Sequence, residues 1–532
     1  MRIYSFSPFG YEGNLVAVEV DIRRGIPAID IVGLADGAVK ESRERMKSAI
    51  RNSGFDFPPE RVLISLSPAD LKKEGAGFDL PVALAVLAEA GRWQEGRTDG
   101  EPASDGEGRA DADKPRLLEK SVLVMGELEL SGTLRPVRAV NAAASTARAL
   151  GISLCVVPAA NADEAREASG MKVFGAENLR EAFEALFDES RFLEGKRRGA
   201  DEAPANSVEV GGVFFCKAEP GSSFEEVFGQ ERLVRGLQIA AAGGHNLMAF
   251  GPPGCGKTLA LQRFPALLPM LTEEEARSVT RIKSIAGLAH AGQGLSRTPP
   301  FRQPHMSASL EGMCGGGVLC RPGEISLAHN GVLFLDEAAE FKSGVLQMLR
   351  VPMETGSVSL SRAGRTAVYP ADFQLLMATN PCPCGNYGSD KKVCLCSGRA
   401  IEGYWKKFSA PLLDRIDLRV QVDLPQEGAA GPVCSTADLR VKIARAVKTQ
   451  RARQKKKNAR LNLEEILAFC PLSAAAKGRL EAAVRRYDFS PRAAAACKKI
   501  ARTIADMEGS AQIEAEHMAE AIDFRRVNGV LQ

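Results

Sequence analysis

The sequence has no apolar run of the 18 or more residues that a membrane span requires, and no charged-then-apolar segment at its start. It also has little net charge, because 69 lysines and arginines are balanced by 66 aspartates and glutamates. Any nucleic acid would therefore have to be bound by local clusters of basic residues rather than by the field of the whole molecule. We expect a soluble, cytoplasmic protein with no membrane partner.

The chain also lacks the cysteine pattern of a secreted, disulfide-linked protein. Its twelve cysteines are spread over 532 residues, and only four of them cluster, between positions 382 and 396. This distribution indicates reduced thiols with one possible metal site. A chain of this length is too long for a single core and predicts two to four domains.

The hydrophobic pattern changes along the chain and predicts an α/β protein. Short apolar strands first alternate with helical patterns near 36–53 and 79–90, and the end of the chain is alanine-rich with helical spacing. The predicted units are an α+β domain at 1–190 with a disordered insertion at about 92–115, a linker at 191–222, an α/β domain with a parallel sheet at 223–428, and a helical domain at 429–532.

The most informative motif is a phosphate-binding loop. Its glycines would let backbone N–H groups approach the phosphates of ATP, the lysine would reach the β- and γ-oxygens, and the threonine hydroxyl would bind Mg²⁺. An apolar strand precedes it and a helix follows it, which is the context that such a loop needs. The motif reads Gly251-Pro252-Pro253-Gly254-Cys255-Gly256-Lys257-Thr258.

A second motif supplies the carboxylates that ATP hydrolysis needs. The apolar strand Val332–Leu335 ends in Asp336 and Glu337. Asp336 would hold the Mg²⁺ shell, and Glu337 would polarise the attacking water. Alone, such a pair is more often a solvated turn, but together with the phosphate-binding loop it predicts an ATP hydrolase.

The clustered cysteines predict a structural metal site. Cys382, Cys384, Cys394 and Cys396 form a C-x-C-x₉-C-x-C pattern, and four thiolates can close a tetrahedral Zn²⁺ site with no open position. Free structural thiols and an iron–sulfur cluster are the alternatives.

Several longer strings carry a resemblance to a known family. On these strings the chain resembles the magnesium-chelatase-like AAA+ ATPases of the ComM/YifB type over nearly its whole length. The resemblance implies an N-terminal domain similar in fold to the Lon protease domain, an AAA+ motor similar to the ATPase subunit of magnesium chelatase, and a C-terminal helical lid. The strings are Ile29–Leu34, Glu41–Arg45, Gly75–Pro81, Arg321–Gly331, Asn380–Gly385 and Pro411–Leu418.

The same resemblance implies further catalytic residues. Asn380 follows a predicted strand, Phe373–Thr379, and would orient the water or contact the γ-phosphate as sensor 1, although a turn asparagine is the simpler alternative. Arg415 matches the arginine finger, which acts on the ATP of a neighbouring subunit and implies a ring, usually a hexamer. Arg492 matches sensor 2. Without the resemblance, Arg415 would be a surface ion pair and Arg492 a solvated helix end.

A predicted hairpin at 356–370 carries Arg362 and Arg365 on either side of an Ala363-Gly364 turn. In related ATPases a hairpin at this place projects into the central pore, so the resemblance implies that these arginines meet a DNA backbone. Solvated arginines are the alternative.

The N-terminal domain is predicted to be catalytically inactive. Lon-like peptidases use a serine activated by a lysine. Glycine or apolar residues stand where the serine would lie, near Lys73–Asp79, and Asn141 stands in the place of the lysine. An amide cannot deprotonate a nucleophile, so the domain is expected to serve binding or assembly.

The sequence thus predicts an ATP hydrolase that uses ATP and Mg²⁺, with a possible structural Zn²⁺. By resemblance it would be a ring-forming DNA helicase or branch-migration factor of homologous recombination or natural transformation. The alternatives are a magnesium-chelatase-type ATPase that remodels a protein without nucleic acid, and a nucleotide-gated scaffold with slow turnover.

Overall fold

The structure, a computed structural model, forms three successive folded units. No helix among its described residues is long and apolar enough to cross a bilayer. The described residues are 1–33, 37–69, 73, 76–98, 117–168, 170–195, 204, 206–218, 221–289, 294–362, 365–387, 392–424 and 434–526.

The N-terminal unit is a mixed sheet with helices on both faces, in the strand order β10-β9-β8-β5-β1-β2-β4-β3. Its strands are β1 (Arg2–Ser7), β2 (Asn14–Arg23), β3 (Ala28–Val32), β4 (Arg61–Ser67), β5 (Ser121–Val124), β6 (Glu127–Leu128), β7 (Leu134–Arg135), β8 (Leu154–Pro158), β9 (Lys172–Ala176) and β10 (Leu193–Glu194). Its helices are α1 (Gly37–Asn52), α2 (Asp79–Thr98), α3 (Val140–Ala149), α4 (Ala162–Arg166) and α5 (Leu179–Ala185).

The central strands of this sheet are apolar on both sides. Val122 and Val124 of β5 lie in a core with α2, whereas Leu123 lies in a second core with α3. Side chains of a strand alternate between its faces, so a strand covered on both faces must be a continuous apolar run. The nearly continuous apolar sequence of β5 and β8 follows from this burial on both faces.

Two predicted boundaries differ from the structure. The disordered insertion was predicted from about residue 92, but α2 continues to Thr98; the remainder of that prediction, 99–115, falls outside the described residues. The predicted linker at 191–222 contains β10, which pairs with β9, and a hairpin of β11 (Ser207–Val210) and β12 (Val213–Cys216). Phe215 of this hairpin is fully buried in the core of the next unit.

The central unit is built on a parallel sheet in the order β14-β17-β20-β13-β21. Its further strands are β13 (Leu247–Phe250), β14 (Phe301–Arg302), β15 (Gly315–Gly316), β16 (Arg321–Pro322), β17 (Val332–Leu335), β18 (Ser357–Arg362), β19 (Arg365–Pro370), β20 (Gln374–Thr379) and β21 (Leu418–Gln421). Its helices are α6 (Glu231–Gly243), α7 (Lys257–Gln262), α8 (Glu273–Ala286), α9 (Leu310–Cys314), α10 (Glu324–Leu327), α11 (Ser343–Met348), α12 (Arg350–Thr355), α13 (Gly398–Lys406) and α14 (Ala410–Leu413).

The C-terminal unit is helical, as predicted. It consists of α15 (Thr436–Arg453), α16 (Leu463–Phe469), α17 (Ala474–Tyr487), α18 (Pro491–Glu508) and α19 (Ala515–Arg525). It shares one hydrophobic core with α6 and the parallel sheet. A buried histidine also joins the two units, since His245 before β13 contacts Thr503 Oγ1 of α18 at 2.8 Å and Asp417 before β21 at 3.3 Å.

The N-terminal unit packs directly on the central unit. The guanidinium of Arg281 in α8 lies over the Tyr11 ring, 4.6 Å from its centroid, and donates to the Tyr11 carbonyl at 2.9 Å. Its Nη2 also donates to the Glu12 carboxylate at 3.0 Å. Beside it, Ser284 donates to the buried Glu164 carboxylate at 2.6 Å. Cation–π and charge-assisted contacts in a partly dry interface are stronger than their exposed counterparts.

The hairpin β18–β19 takes part in the same interface. Ala367 and Tyr369 of β19 are buried in one core with Phe6 and the residues of α3. Gly10, which has a φ of +67°, lies so close that a Cβ there would come within 2.9 Å of the Ala367 Cβ. The base of the hairpin is therefore fixed against the N-terminal unit.

The buried His329 makes stability depend on pH. Burial lowers the pKa of His329 from 6.5 to about 4, and its Nδ1 accepts a hydrogen bond from the Asp372 N–H at 3.0 Å. In the unfolded chain this histidine binds a proton below about pH 6.5, whereas in the folded chain it does so only below about pH 4. The free energy of unfolding therefore falls as the pH is lowered from 6.5 to 4. We expect His329→Asn, whose side-chain oxygen can keep the bond to Asp372, to show a smaller fall in thermal midpoint between pH 6.5 and 4 than the unsubstituted protein.

The exposed His305 provides the matched control, because His305→Asn removes an imidazole that is not buried. It should leave the pH dependence of the midpoint unchanged. Identical pH dependences for His329→Asn and the unsubstituted protein would contradict the role of His329.

Candidate nucleotide site

Three neighbouring parallel strands end at the same edge of the central sheet. In the register of the sheet, Phe250 at the end of β13 pairs with Thr379 of β20, and Leu335 of β17 pairs with Met377. The segments that follow these strands line a cleft of about 370 Å³. The carboxyl edge of a parallel sheet is the usual place for a ligand. The lining residues are Pro253, Gly254, Cys255, Gly256, Lys257, Thr258, Leu259, Asp336, Glu337, Ala378, Thr379 and Asn380.

Three positions of the phosphate-binding loop require glycine, for two different structural reasons. Gly254 and Gly256 have φ values of +80° and +86°, and no atom lies within 4 Å of where their Cβ atoms would be. Their backbone is thus strained for other residues and open to a ligand. Gly251 has a packing reason instead, because a Cβ there would lie 1.9 Å from the Val422 carbonyl oxygen.

Lys257 lies across the mouth of the loop. Its Nζ donates to the carbonyl oxygens of Gly251 at 2.7 Å and Pro252 at 2.8 Å, and lies 3.5 Å from the Asn380 side-chain oxygen. Burial lowers the pKa of Lys257. The loop and Asn380 thus line one cleft, although 123 residues separate Lys257 from Asn380.

The predicted Mg²⁺ ligands are also adjacent. The Thr258 hydroxyl donates to the Asp336 carboxylate at 2.9 Å, and the same carboxylate oxygen accepts from the Glu337 N–H at 3.1 Å. Glu337 has a φ of +47°, a left-handed conformation that is uncommon for a carboxylate residue. Its side chain is exposed at the cleft, so it is free to meet a water molecule there.

The residues of the cleft fit ATP with Mg²⁺. A hydroxyl and a carboxylate oxygen within hydrogen-bond distance form the hard oxygen pair that Mg²⁺ prefers, and the ion keeps further positions for water and phosphate. Exposed loop N–H groups and a lysine supply the donors for phosphate oxygens.

Arg415 and Arg492 do not line this cleft. Both bind one carboxylate, Glu354 in α12, through Arg415 Nη2 at 2.5 Å and Arg492 Nη2 at 2.8 Å. The hydrogen bonds from these two arginines lower the pKa of Glu354. The structure thus brings the predicted arginine finger and the predicted sensor 2 together, away from their own phosphate-binding loop.

The predicted DNA-binding hairpin is present as β18–β19. Arg362 and Arg365 are paired in register next to the turn, whose residues 363 and 364 lie outside the described residues. The exposed Arg362 guanidinium lies 3.6 Å from the Glu311 carboxylate. Exposed pairs of this kind contribute little to stability, so Arg362 remains available to other anions.

The four clustered cysteines converge. The sulfur atoms of Cys382, Cys384, Cys394 and Cys396 all lie within 4.8 Å of one another. A hydrogen bond from the Asn386 backbone N–H lowers the pKa of Cys384 to about 6.

Sequence reasoning missed two residues that hold predicted functional groups in place. Glu354 is one; the other is Gln230, whose side-chain amide donates to the Cys255 carbonyl at 2.8 Å and to the Asp423 carbonyl at 3.0 Å. Gln230 thus holds the phosphate-binding loop against the end of β21. A single glutamine before a helix carries no signal that its partners are distant carbonyl groups.

The chain is similar in sequence to known proteins over nearly its whole length. The family described as magnesium chelatase, subunit ChlI, matches residues 223–429, and related ChlI families match 18–102 and, for the C-terminal part, 434–525. YifB of Escherichia coli strain K12 is 37% identical over 99% of this chain and 97% of its own length. The chain belongs to the magnesium-chelatase-like ComM/YifB family.

Other relatives define the extent of the similarity. The competence protein ComM of Haemophilus influenzae is 36% identical over 100% of this chain and 98% of its own length. The magnesium-chelatase 38 kDa subunit of Cereibacter sphaeroides is 24% identical over 38% of this chain and 59% of its own length. Because it belongs to this family, the chain is an AAA+-type ATPase.

Lys257 and Glu337 should separate binding from hydrolysis. We expect Lys257→Ala to lose ATP binding, because it removes the donor at the phosphates. Glu337→Gln should bind ATP yet hydrolyse it about two orders of magnitude more slowly, which is the typical contribution of a general base. Binding of a fluorescent ATP analogue and release of phosphate measure the two steps.

Glu340→Gln is the matched control, since Glu340 is an exposed glutamate three residues further on. It should leave both quantities unchanged. Equal loss of ATP binding in Lys257→Ala and Glu337→Gln would remove the assignment.

Proposed function

We propose that this protein is a ring-forming AAA+ motor that uses ATP hydrolysis to move DNA strands, as a helicase or branch-migration factor in homologous recombination or natural transformation. The observation that carries the proposal is the division of the hydrolytic machinery. The phosphate-binding loop, Asp336, Glu337 and Asn380 share one cleft, whereas Arg415 and Arg492 lie together elsewhere.

Each residue of the cleft has a distinct task in hydrolysis. Lys257 exchanges its bonds to the Gly251 and Pro252 carbonyls for phosphate oxygens. Glu337 orients the attacking water and takes its proton, and Asn380 holds the water or the γ-phosphate. Thr258 and Asp336 would hold Mg²⁺, which would supply positive charge against the phosphates.

The arginines act in this proposal on the ATP of a neighbouring subunit. Arg415 is only 12% exposed and is aimed at Glu354, which is itself 53% exposed. Because Glu354 lies at the surface, the two arginines that bind it are next to a face that a neighbouring subunit could cover. The cleft of one subunit would be completed by these arginines from the next, and closure of such contacts gives a ring, in this class usually a hexamer.

DNA is the expected substrate because of the hairpin. Its paired arginines lie at the end farthest from the base that the N-terminal unit holds. In a ring, this end would face the central pore and meet the phosphate backbone. The name of the relative ComM, a competence protein, supports a DNA substrate as well.

The N-terminal unit would be a Lon-like domain without peptidase activity. Asn141 is 3% exposed and its amide donates to the Glu164 carbonyl at 3.3 Å. A buried, hydrogen-bonded amide cannot act as a general base, which supports a domain without peptidase activity.

A magnesium-chelatase-type ATPase that remodels a protein partner is the second candidate. It is favoured by the ChlI families that match all three units. Stimulation of ATP hydrolysis by DNA distinguishes the two.

Complementation in mixed rings tests the role of Arg415. We expect Arg415→Ala and Lys257→Ala subunits to be nearly inactive alone and to regain part of the hydrolysis rate when mixed, because each supplies what the other lacks at a shared interface. Absence of recovery in rings shown to contain both subunits would place Arg415 in its own subunit's site. Mixing Lys257→Ala with Glu337→Gln is the control, because both defects lie in the same cleft.

The hairpin arginines decide between DNA and a protein substrate. Forked or single-stranded DNA should stimulate hydrolysis, and the double variant Arg362→Ala/Arg365→Ala should bring the ratio of rates with and without DNA close to one. Binding of DNA should weaken steeply with salt because counterions are released. Arg479→Ala/Arg485→Ala removes two exposed arginines of α17 and should keep the stimulation. A hydrolysis rate indifferent to every DNA tested, with synthetic junctions left unmoved, would favour the remodelling alternative.

A further inference from the structure

The cysteine cluster has the dimensions of a site for a single ion. The sulfur of Cys382 lies 3.4 Å from that of Cys384 and 3.7 Å from that of Cys394, and the last two are 3.6 Å apart. Four thiolates around one Zn²⁺ at about 2.3 Å must lie about 3.8 Å from each other. A disulfide needs about 2.05 Å, and an iron–sulfur cluster must fit several atoms between its thiolates. The spacing therefore favours one tetrahedral ion.

The arm that carries the second pair of cysteines is not held by hydrophobic packing. Val393 and Leu395 are 80% and 90% exposed, whereas Cys394 and Cys396 between and beyond them turn toward the cluster. Because these aliphatic side chains stay in water, hydrophobic burial does not stabilise the position of the arm. Its inward side chains are the two cysteines, so bonds to sulfur can fix the arm in this position.

The first pair of cysteines is joined to the wall of the nucleotide cleft. Cys382 follows Asn380 by two residues, and the intervening Pro381 carbonyl accepts a hydrogen bond from the Trp405 indole at 3.0 Å. Gly385, which has a φ of +78°, packs so closely on the phosphate-binding loop that a Cβ there would lie 2.7 Å from the Pro253 Cδ. The turn that carries Cys382 and Cys384 therefore touches both the loop and the segment of Asn380.

We propose that Cys382, Cys384, Cys394 and Cys396 bind one Zn²⁺ and that the bound turn fixes Asn380 and Pro253 at the nucleotide cleft. Four cysteines fill a tetrahedral shell, so the ion takes no part in hydrolysis and acts only through position. The second half of this inference rests on the proposed nucleotide site; the metal site stands without it.

Metal content tests the first half. Elemental analysis of the purified full-length protein should give about one zinc per chain, and Cys394→Ser/Cys396→Ser should lose it. Cys434→Ser removes an exposed cysteine outside the cluster and should keep the zinc. Protein exchanged into Co²⁺ should show the thiolate-to-cobalt absorption and the strong visible bands of a tetrahedral sulfur site. This spectrum is recorded on the unsubstituted chain, so it tests for tetrahedral thiolate coordination even if the double variant does not fold.

Nucleotide affinity tests the second half. Removing zinc from the unsubstituted protein with a chelator should weaken binding of a fluorescent ATP analogue by about tenfold, a typical coupling between two sites, and added Zn²⁺ should restore it. Iron in place of zinc, or neither metal in freshly reduced protein, would overturn the zinc site. Bound zinc whose removal leaves nucleotide affinity unchanged would overturn the coupling alone. Neither measurement uses DNA, so these results are independent of whether the proposed DNA substrate is correct.

Discussion

The parallel pairing of β17, β20 and β13 is the constraint on which the nucleotide site depends. Hydrogen bonding in this register brings three chain segments that are far apart in sequence to one edge of the sheet. Each segment then contributes one part of the cleft: the phosphate-binding loop, the carboxylate pair and Asn380. A slip of one residue between β17 and β20 would turn the side chains of β17 to the opposite face and remove Asp336 from Thr258.

Local contacts within the cleft keep its charged groups in place. Lys257 is bonded to two carbonyl oxygens of its own loop, and Asp336 accepts from both Thr258 and the Glu337 backbone. A preorganised site loses little conformational entropy when a ligand arrives. The loop itself is held from behind by Gln230, so contacts within the protein contribute to this order.

The limits of sequence-based prediction follow from the range of the interactions. The phosphate-binding loop, its flanking strand, the hairpin β18–β19 and the helical character of the C-terminal unit were predicted because their signals lie within a few neighbouring residues. Glu354 was missed because its meaning depends on arginines 61 and 138 residues away.

The contact between the N-terminal unit and β19 bears on how load is carried through the molecule. The hairpin base, α8 and the β1–β2 loop pack into one core, and Arg281 clamps that loop through ring, carbonyl and carboxylate contacts. A pull on the tip of the hairpin is therefore passed to the N-terminal sheet through packed side chains, without travelling along the connecting chain between β10 and β11. The hairpin and the N-terminal unit are therefore mechanically coupled. Any displacement of the hairpin must either move the N-terminal unit with it or break the shared core.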